Sequence, residues 1–233
     1  MTISKRTVFI TGATTGIGFA TAQLLVKKGA NVVIYAKTIP DSNEYNAFVK
    51  NDAVLVIEGD ITQKKQVEKA IQKALKRFGS IDVLINNAAV AQEKPFMETN
   101  ASDWNLLIDV NIKGTLVVTQ AILPTMIEKK SGTVISIASG AGLFGIENLS
   151  LYSLTKAALI NFSQSLAQEM SHKGITVFTI TPGSTNTEMF RRLFPDRKAA
   201  HSPDDVARVI YSSLEETIKP DDRLVIDVFK HTR

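Results

Sequence analysis

Thr7-Val-Phe-Ile-Thr-Gly-Ala-Thr-Thr-Gly-Ile-Gly18 is the stretch that decides the fold. Residues 7–11 form a short apolar run with β-branched side chains, the composition of a buried strand. Glycine then punctuates the chain at 12, 16 and 18, and Phe19-Ala-Thr-Ala-Gln-Leu-Leu25 reads as helix. A glycine-rich turn between strand and helix lets backbone N–H groups approach a pyrophosphate, with the positive end of the helix dipole behind them. The spacing is G-x-x-x-G-x-G, and no Gly-Lys-Ser/Thr follows, so the turn is not a P-loop. Gly29 closes the helix, and Asn31-Val-Val-Ile-Tyr-Ala36 supplies the second strand of a βαβ unit.

Working outward, further strands are predicted at 53–58, 82–86, 134–138, 175–180 and 224–229. Helices are predicted over 63–78, over 103–129 with Ser102 as N-cap, after Ser150, and from Pro203 with Ser202 as N-cap. Residues 184–201 show no clear period. This alternation predicts one α/β domain over 1–233, a Rossmann-type doubly wound, seven-stranded parallel sheet with helices on both faces. Ligand is expected outside the carboxyl ends of the strands, near the first and fourth. The helices over 103–129 and after Ser150 are apolar on most sides. One face of each is expected on the sheet and the other on a second subunit.

Composition bounds the partners. The 233 residues are 44% hydrophobic and 21% charged, ordinary for one soluble domain. There is no cysteine, which excludes disulfides and thiolate chemistry. The three histidines, His172, His201 and His231, lack ligand spacing, so no metal is expected. Neither a bilayer-spanning apolar run nor a signal peptide is seen, giving the expectation of no membrane and a cytoplasmic location. The net charge of +4 is dispersed over separate elements, which argues against nucleic acid and suits a small anionic ligand. The second strand ends in Ala36-Lys37-Thr38, with no acid before Asp41 to take a ribose 2′-hydroxyl. Lys37 suits a 2′-phosphate instead, so NADP(H) is preferred and NAD(H) is the other option.

Chemistry is predicted between Val134 and Lys156. Ser139 falls where the strand at 134–138 ends, and Tyr152 and Lys156 share one helix face at i and i+4. A phenol is a poor acid near neutral pH, with a reference pKa of about 10. A neighbouring ammonium favours the phenolate and is expected to bring that value down.

Taken together, T-G-A-T-T-G-I-G (11–18), Asp60, N-N-A-A (86–89), Asn111, Ser139, Y-S-L-T-K (152–156) and P-G (182–183) resemble the short-chain dehydrogenase/reductase family. The resemblance implies an NAD(P)-dependent enzyme acting on a carbonyl or alcohol. It implies that Gly12, Gly16, Gly18 and the Ile17 amide form the pyrophosphate turn. By the same resemblance, Asp60 is expected to take the adenine amino group and Asn87 to lie beside the adenosine ribose. Ser139 is expected to hold the substrate carbonyl, Tyr152 to exchange the proton, and Lys156 to lower the Tyr152 pKa and hold the nicotinamide ribose. Asn111 anchors a proton relay through its backbone carbonyl, and Thr187 meets the carboxamide. Thr14, Thr15, Ile61, Ala88, Pro182, Gly183 and Thr185 complete the implied cofactor contacts. It further implies a homodimer or homotetramer through the helices carrying Asn111 and Tyr152.

Two departures stand out: Ala89 replaces the glycine of N-N-A-G, and Lys230-His-Thr-Arg replaces the usual aspartate-glycine-glycine ending. An apolar substrate pocket is expected from Leu143, Phe144, Ile146 and Leu149 with Met189, Phe190, Leu193 and Phe194. Arg191-Arg192 reads as a solvated pair. The competing reading is a non-catalytic NAD(P)-binding or redox-sensing protein on the same fold, against which Ser139, Tyr152 and Lys156 weigh.

Overall fold

The computed structural model describes residues 2–232; Met1 and Arg233, the ends of the domain expected over 1–233, lie outside the described residues. The chain runs β1 (Thr7–Thr11), α1 (Gly16–Lys27), β2 (Asn31–Ala36), α2 (Asn43–Phe48), β3 (Val54–Glu58), α3 (Lys64–Phe78) and β4 (Val83–Asn86). It continues through α4 (Ala101–Leu107), α5 (Thr115–Lys129), β5 (Gly132–Ile137), α6 (Ser150–Met170), β6 (Ile175–Thr181), α7 (Glu188–Leu193), α8 (Pro203–Leu214) and β7 (Val225–Asp227). The strands form one parallel sheet in the order β3-β2-β1-β4-β5-β6-β7. From β1 the chain builds outward to β3 and then returns to β4 on the other side. That reversal opens a crevice at the carboxyl ends of β1 and β4.

Both sheet faces are buried, so every residue of β1 is buried rather than every second one. Phe9 packs with Tyr35, Leu84, Val118 and Ile122 on one face, while Val8 and Ile10 pack with Leu25, Val206 and Ile210 on the other. The sequence pattern therefore fixes which helices lie on which side.

The helix predicted over 103–129 departs from expectation in two ways. It starts at Ala101, because Asn100 rather than Ser102 is the cap: Asn100 Oδ1 accepts from the Ser102 and Asp103 amides, and Asp103 answers by accepting from the Asn100 amide. Its middle, Ile108–Gly114, is wound as a π-helix between α4 and α5. By length and composition the stretch Ala101–Lys129 qualifies as a bilayer span, contrary to the sequence expectation. Here Val118, Ile122 and Met126 are wholly buried in the domain core. Two short helices, α2 and α7, were not foreseen, and β7 covers only part of 224–229, since Val228–Lys230 turns into a 3-10 helix. Burial on most sides also fails in places, with Leu116 40% and Leu154 54% exposed.

Candidate active site

The crevice is a cleft of about 650 Å³, in the range of small-molecule sites. Its first wall is the turn after β1. Gly12 has φ +64°, and a Cβ there would lie 2.7 Å from the Ala88 Cα, so no other residue fits without movement. The turn is sewn to the loop after β4. Thr11 Oγ1 accepts from the amides of Asn87 and Ala88, each at 3.0 Å. Asn87 Nδ2 donates to the carbonyls of Thr11 and Gly12, each at 2.9 Å. Thr14, Thr15, Gly16, Ile17 and Ala88 line the cleft, whereas Gly18 lies behind it, where a Cβ would meet Asn87 Nδ2 at 2.5 Å. Asn86 points the other way, donating to Thr119 Oγ1 at 2.9 Å in the core.

At the far end of this wall, Lys37 Nζ donates to Asp60 Oδ2 at 2.8 Å. The resemblance implies separate tasks for these two residues; the structure joins them. Burial pulls the Asp60 carboxyl up, but bonds from Lys37 and from the Thr62 amide and hydroxyl outweigh it and hold the group below its ordinary value. The Asp60 bond in turn raises Lys37. Tyr35 donates its hydroxyl to the Asp60 carbonyl, and burial first, then the Asp60 charge, push its phenol up to about 12. Ile61 completes this corner.

The side chains expected to react, Ser139, Tyr152 and Lys156, line the other end of the cleft. Ser139 follows β5 and accepts from the Ala141 amide at 3.1 Å, which turns its hydroxyl into the cleft beside Tyr152. Lys156 is 2% exposed, donates to the Ile137 carbonyl at 2.9 Å, and lies 5.5 Å from the Tyr152 ring centre. Burial pushes Tyr152 up to about 12, with the Ser139 hydroxyl opposing it. Burial also pushes Lys156 down to about 8. The lowering of Tyr152 by Lys156 expected from their spacing is therefore not what dominates: desolvation does, acting on both groups towards neutrality.

Asn111 is fully buried in the π turn and does not line the cleft. Its side chain is held three times: Oδ1 accepts from the Val90 amide at 2.8 Å, and Nδ2 donates to the Val90 carbonyl at 2.9 Å and to Thr155 Oγ1 at 3.0 Å. Its carbonyl accepts from Thr115 Oγ1 at 2.9 Å. Thr155, on α6 between Tyr152 and Lys156, thus ties the two helices together; the sequence reading passed over it.

The last wall follows β6. Pro182 accepts from the Gly140 amide at 2.9 Å, which fixes this loop to the Ser139 turn. Pro182, Gly183, Thr185 and Thr187 line the cleft, and Thr187 caps α7 by accepting from the Phe190 amide. Met189, Phe190, Leu193 and Phe194 from α7 and its end face Ile146 and Leu149 across the opening. Two expected lining residues do not reach it: Leu143 packs against Ala138, Ile160 and Val225, and Phe144 is 72% exposed. Arg191 donates to Asn186 Oδ1 at 2.9 Å and, with Arg192, stays off the cleft. Arg197 and Lys198 line it instead.

A family model described as short chain dehydrogenase matches residues 6–198. The chain belongs to that family. Its relatives include an uncharacterized oxidoreductase of Staphylococcus aureus (strain USA300), 34% identical over 214 residues, spanning 92% of this chain and 93% of that protein. A second, from Staphylococcus epidermidis, is 33% identical over 90% of this chain and 91% of its own. Among solved structures, ElxO with NADP bound superposes with a TM-score of 0.86 at 27% identity, covering 96% of each chain. Levodione reductase gives 0.87 at 27% identity, covering 97% of this chain and 96% of its own. A 3-ketoacyl-(acyl-carrier-protein) reductase from Brucella melitensis, complexed with NADH, gives 0.85 at 25% identity and 97% of each chain.

As a short-chain dehydrogenase the protein is an NAD(P)-dependent oxidoreductase. Its residues fit a dinucleotide. The helix N-terminus of α1 opens on the cleft beneath the Gly12 turn, one basic and one acidic side chain stand at one end, and Ser139, Tyr152 and Lys156 stand at the other. Residues missed from sequence include Tyr35 and Thr38, which flank Lys37, and Val110 and Arg197, which reach the cleft through the packing of distant segments.

Proposed function

We propose that the protein reduces a carbonyl compound to an alcohol, taking a hydride from NADPH in preference to NADH. What carries this reading is the convergence of Ser139, Tyr152 and Lys156 on the cleft that the Gly12 turn also lines. When bound, the reduced nicotinamide supplies the hydride. Ser139 holds the carbonyl oxygen by donating its hydroxyl, and Tyr152 gives its phenolic proton to that oxygen as charge builds there. A phenol raised to about 12 is protonated throughout the physiological range, so it is ready as an acid. The Lys156 ammonium then stabilises the phenolate left behind. Asn111 and Thr155 keep α6 in place, so Tyr152 and Ser139 stay aimed at one point.

The substrate surface is apolar on both sides of the opening, and Lys37 offers the positive charge for a 2′-phosphate. Two copies pair through α4–α6, where Leu116 and Leu154 leave apolar surface exposed. A cytoplasmic setting goes with the use of a dissociable nicotinamide cofactor. The Lys37–Asp60 ion pair favours a second reading of the cofactor, in which Lys37 stays on Asp60 and NADH is taken.

The test is a panel of ketones, diketones and quinones with NADPH and NADH. Tyr152→Phe is expected to lose about 10²–10⁴-fold in kcat, the usual contribution of a general acid. Retained activity in that variant would end the proposed role. Lys37→Ala is expected to raise the KM for NADPH about tenfold and leave that for NADH unchanged, as loss of one charge-assisted contact predicts. An unaltered ratio selects the NADH reading.

A further inference from the structure

The loop between β6 and α8 carries α7, whose side chains line the cleft as a lid, and the neck of this loop is closed by backbone bonds. The amides of Ala200 and His201 both donate to the Ser184 carbonyl at 3.0 Å, and the Asn186 amide donates to the His201 carbonyl at 2.9 Å. Thr185 and His201 pair as a parallel bridge. Everything from Asn186 to Ala200, α7 included, hangs from this neck. The neck in turn rests on the segment after β7. The Phe229 ring lies over Gly183, where a Cβ would come within 2.0 Å of Cε2. The same ring meets His201 edge-on, with ring centres 4.5 Å apart. Thr232 Oγ1 bonds His201 Nδ1 at 3.2 Å and donates to the Val228 carbonyl at 3.1 Å. His201 is 7% exposed and, among the described residues, its Nε2 has no partner, so packing and Thr232 hold its ring.

We infer that residues 228–232 form a clasp that fixes the neck of the lid, and that through it Phe229, His201 and Thr232 position the nicotinamide end of the site. This rests on the dinucleotide reading, which puts Gly183, Thr185 and Thr187 at that end. None of the three clasp residues lines the cleft; they are positioning residues. They act by holding the glycine, threonines and lid in place before the ligand arrives, which spares the ordering cost of binding. Among the described residues, the side-chain bonds and ring contacts of Phe229, His201 and Thr232 run to one another, to Gly183 and to Val228, and none reaches the Asn87 seam of the opposite wall. A disturbance of the clasp is therefore felt by one half of the dinucleotide only.

The experiment is calorimetric titration of the whole chain with NADPH and, separately, with adenosine 2′,5′-bisphosphate, which is its adenine half. NADH and AMP serve as the pair if the parent binds NADH more tightly. Phe229→Ala is expected to weaken the full dinucleotide about tenfold while the half-ligand stays within about twofold. Phe229→Tyr, which keeps the ring, is expected to restore binding. Thr232→Val, which disturbs no core packing, is expected to shift the same ratio in the same direction by about threefold. Equal loss of both ligands, unchanged binding of both, or no rescue by tyrosine would overturn the clasp. A parent that binds neither dinucleotide would overturn the cofactor reading beneath it, and the clasp's purpose with it.

Discussion

The two walls of the cleft are made by different means. The wall at β1 is backbone: a left-handed glycine, amides at the start of α1, and a suture of four hydrogen bonds at 2.9–3.0 Å through Thr11 and Asn87. The wall at α7 is side chain: Met189, Phe190, Leu193 and Phe194 on a six-residue helix with no buried residue, hung from a neck. The first wall presents amide groups that are the same in any chain that adopts the turn. The second presents whatever side chains the lid carries. A conserved kind of ligand suits the first, and discrimination between substrates falls to the second.

The contrast breaks most sharply at Gly12. Gly12→Val sets a branched side chain against Ala88 in a left-handed conformation, and is expected to destabilise the fold by about 1–3 kcal/mol and abolish dinucleotide binding. Thermal unfolding and NADPH titration check both; a variant that binds normally would show that the turn is not the rigid wall described here. Between the walls, pH reports on Lys156. Burial has lowered its pKa to about 8, so its charge is present below that pH and lost above it. Carbonyl reduction is expected to fall about tenfold per pH unit above roughly pH 8, with the limb moved upward in Lys156→Arg. A rate rising through that range would reverse the assignment of charge. The mildest effect is expected at the lid. Phe190→Ala should alter KM across a ketone series by about two- to tenfold, the scale of one apolar contact, with affinity for NADPH unchanged. If NADPH affinity falls instead, the lid belongs to the cofactor.

The same division explains how much of the molecule was legible in its sequence. The strands, the glycine turn and the order of Ser139, Tyr152 and Lys156 are local patterns, and local patterns can be read along the chain. The Lys37–Asp60 pair joins residues 23 apart, each just past the end of one of two neighbouring strands, and neither residue signals the other. The π turn at Ile108–Gly114 was hidden because apolar residues crowd that helix on most sides and leave no phase to mark a slip. Asn100 was passed over for Ser102 because both are good caps, and only the reciprocal bond with Asp103 separates them. For Tyr152 the spacing to Lys156 was legible, but the burial that governs both pKa values was not.

Asn87 carries a consequence of its own. Its amide nitrogen faces two carbonyl oxygens at 2.9 Å, an arrangement that tolerates a donor and nothing else. An aspartate at this position exchanges that NH₂ for a charged oxygen, turning two attractions into two repulsions at the glycine turn. The atom count of the protein would scarcely change, yet the cleft would lose both its seam and its welcome for anions. One side chain thus holds the seam and sets its charge, and Asn87→Asp is expected to lower both the unfolding temperature and NADPH affinity.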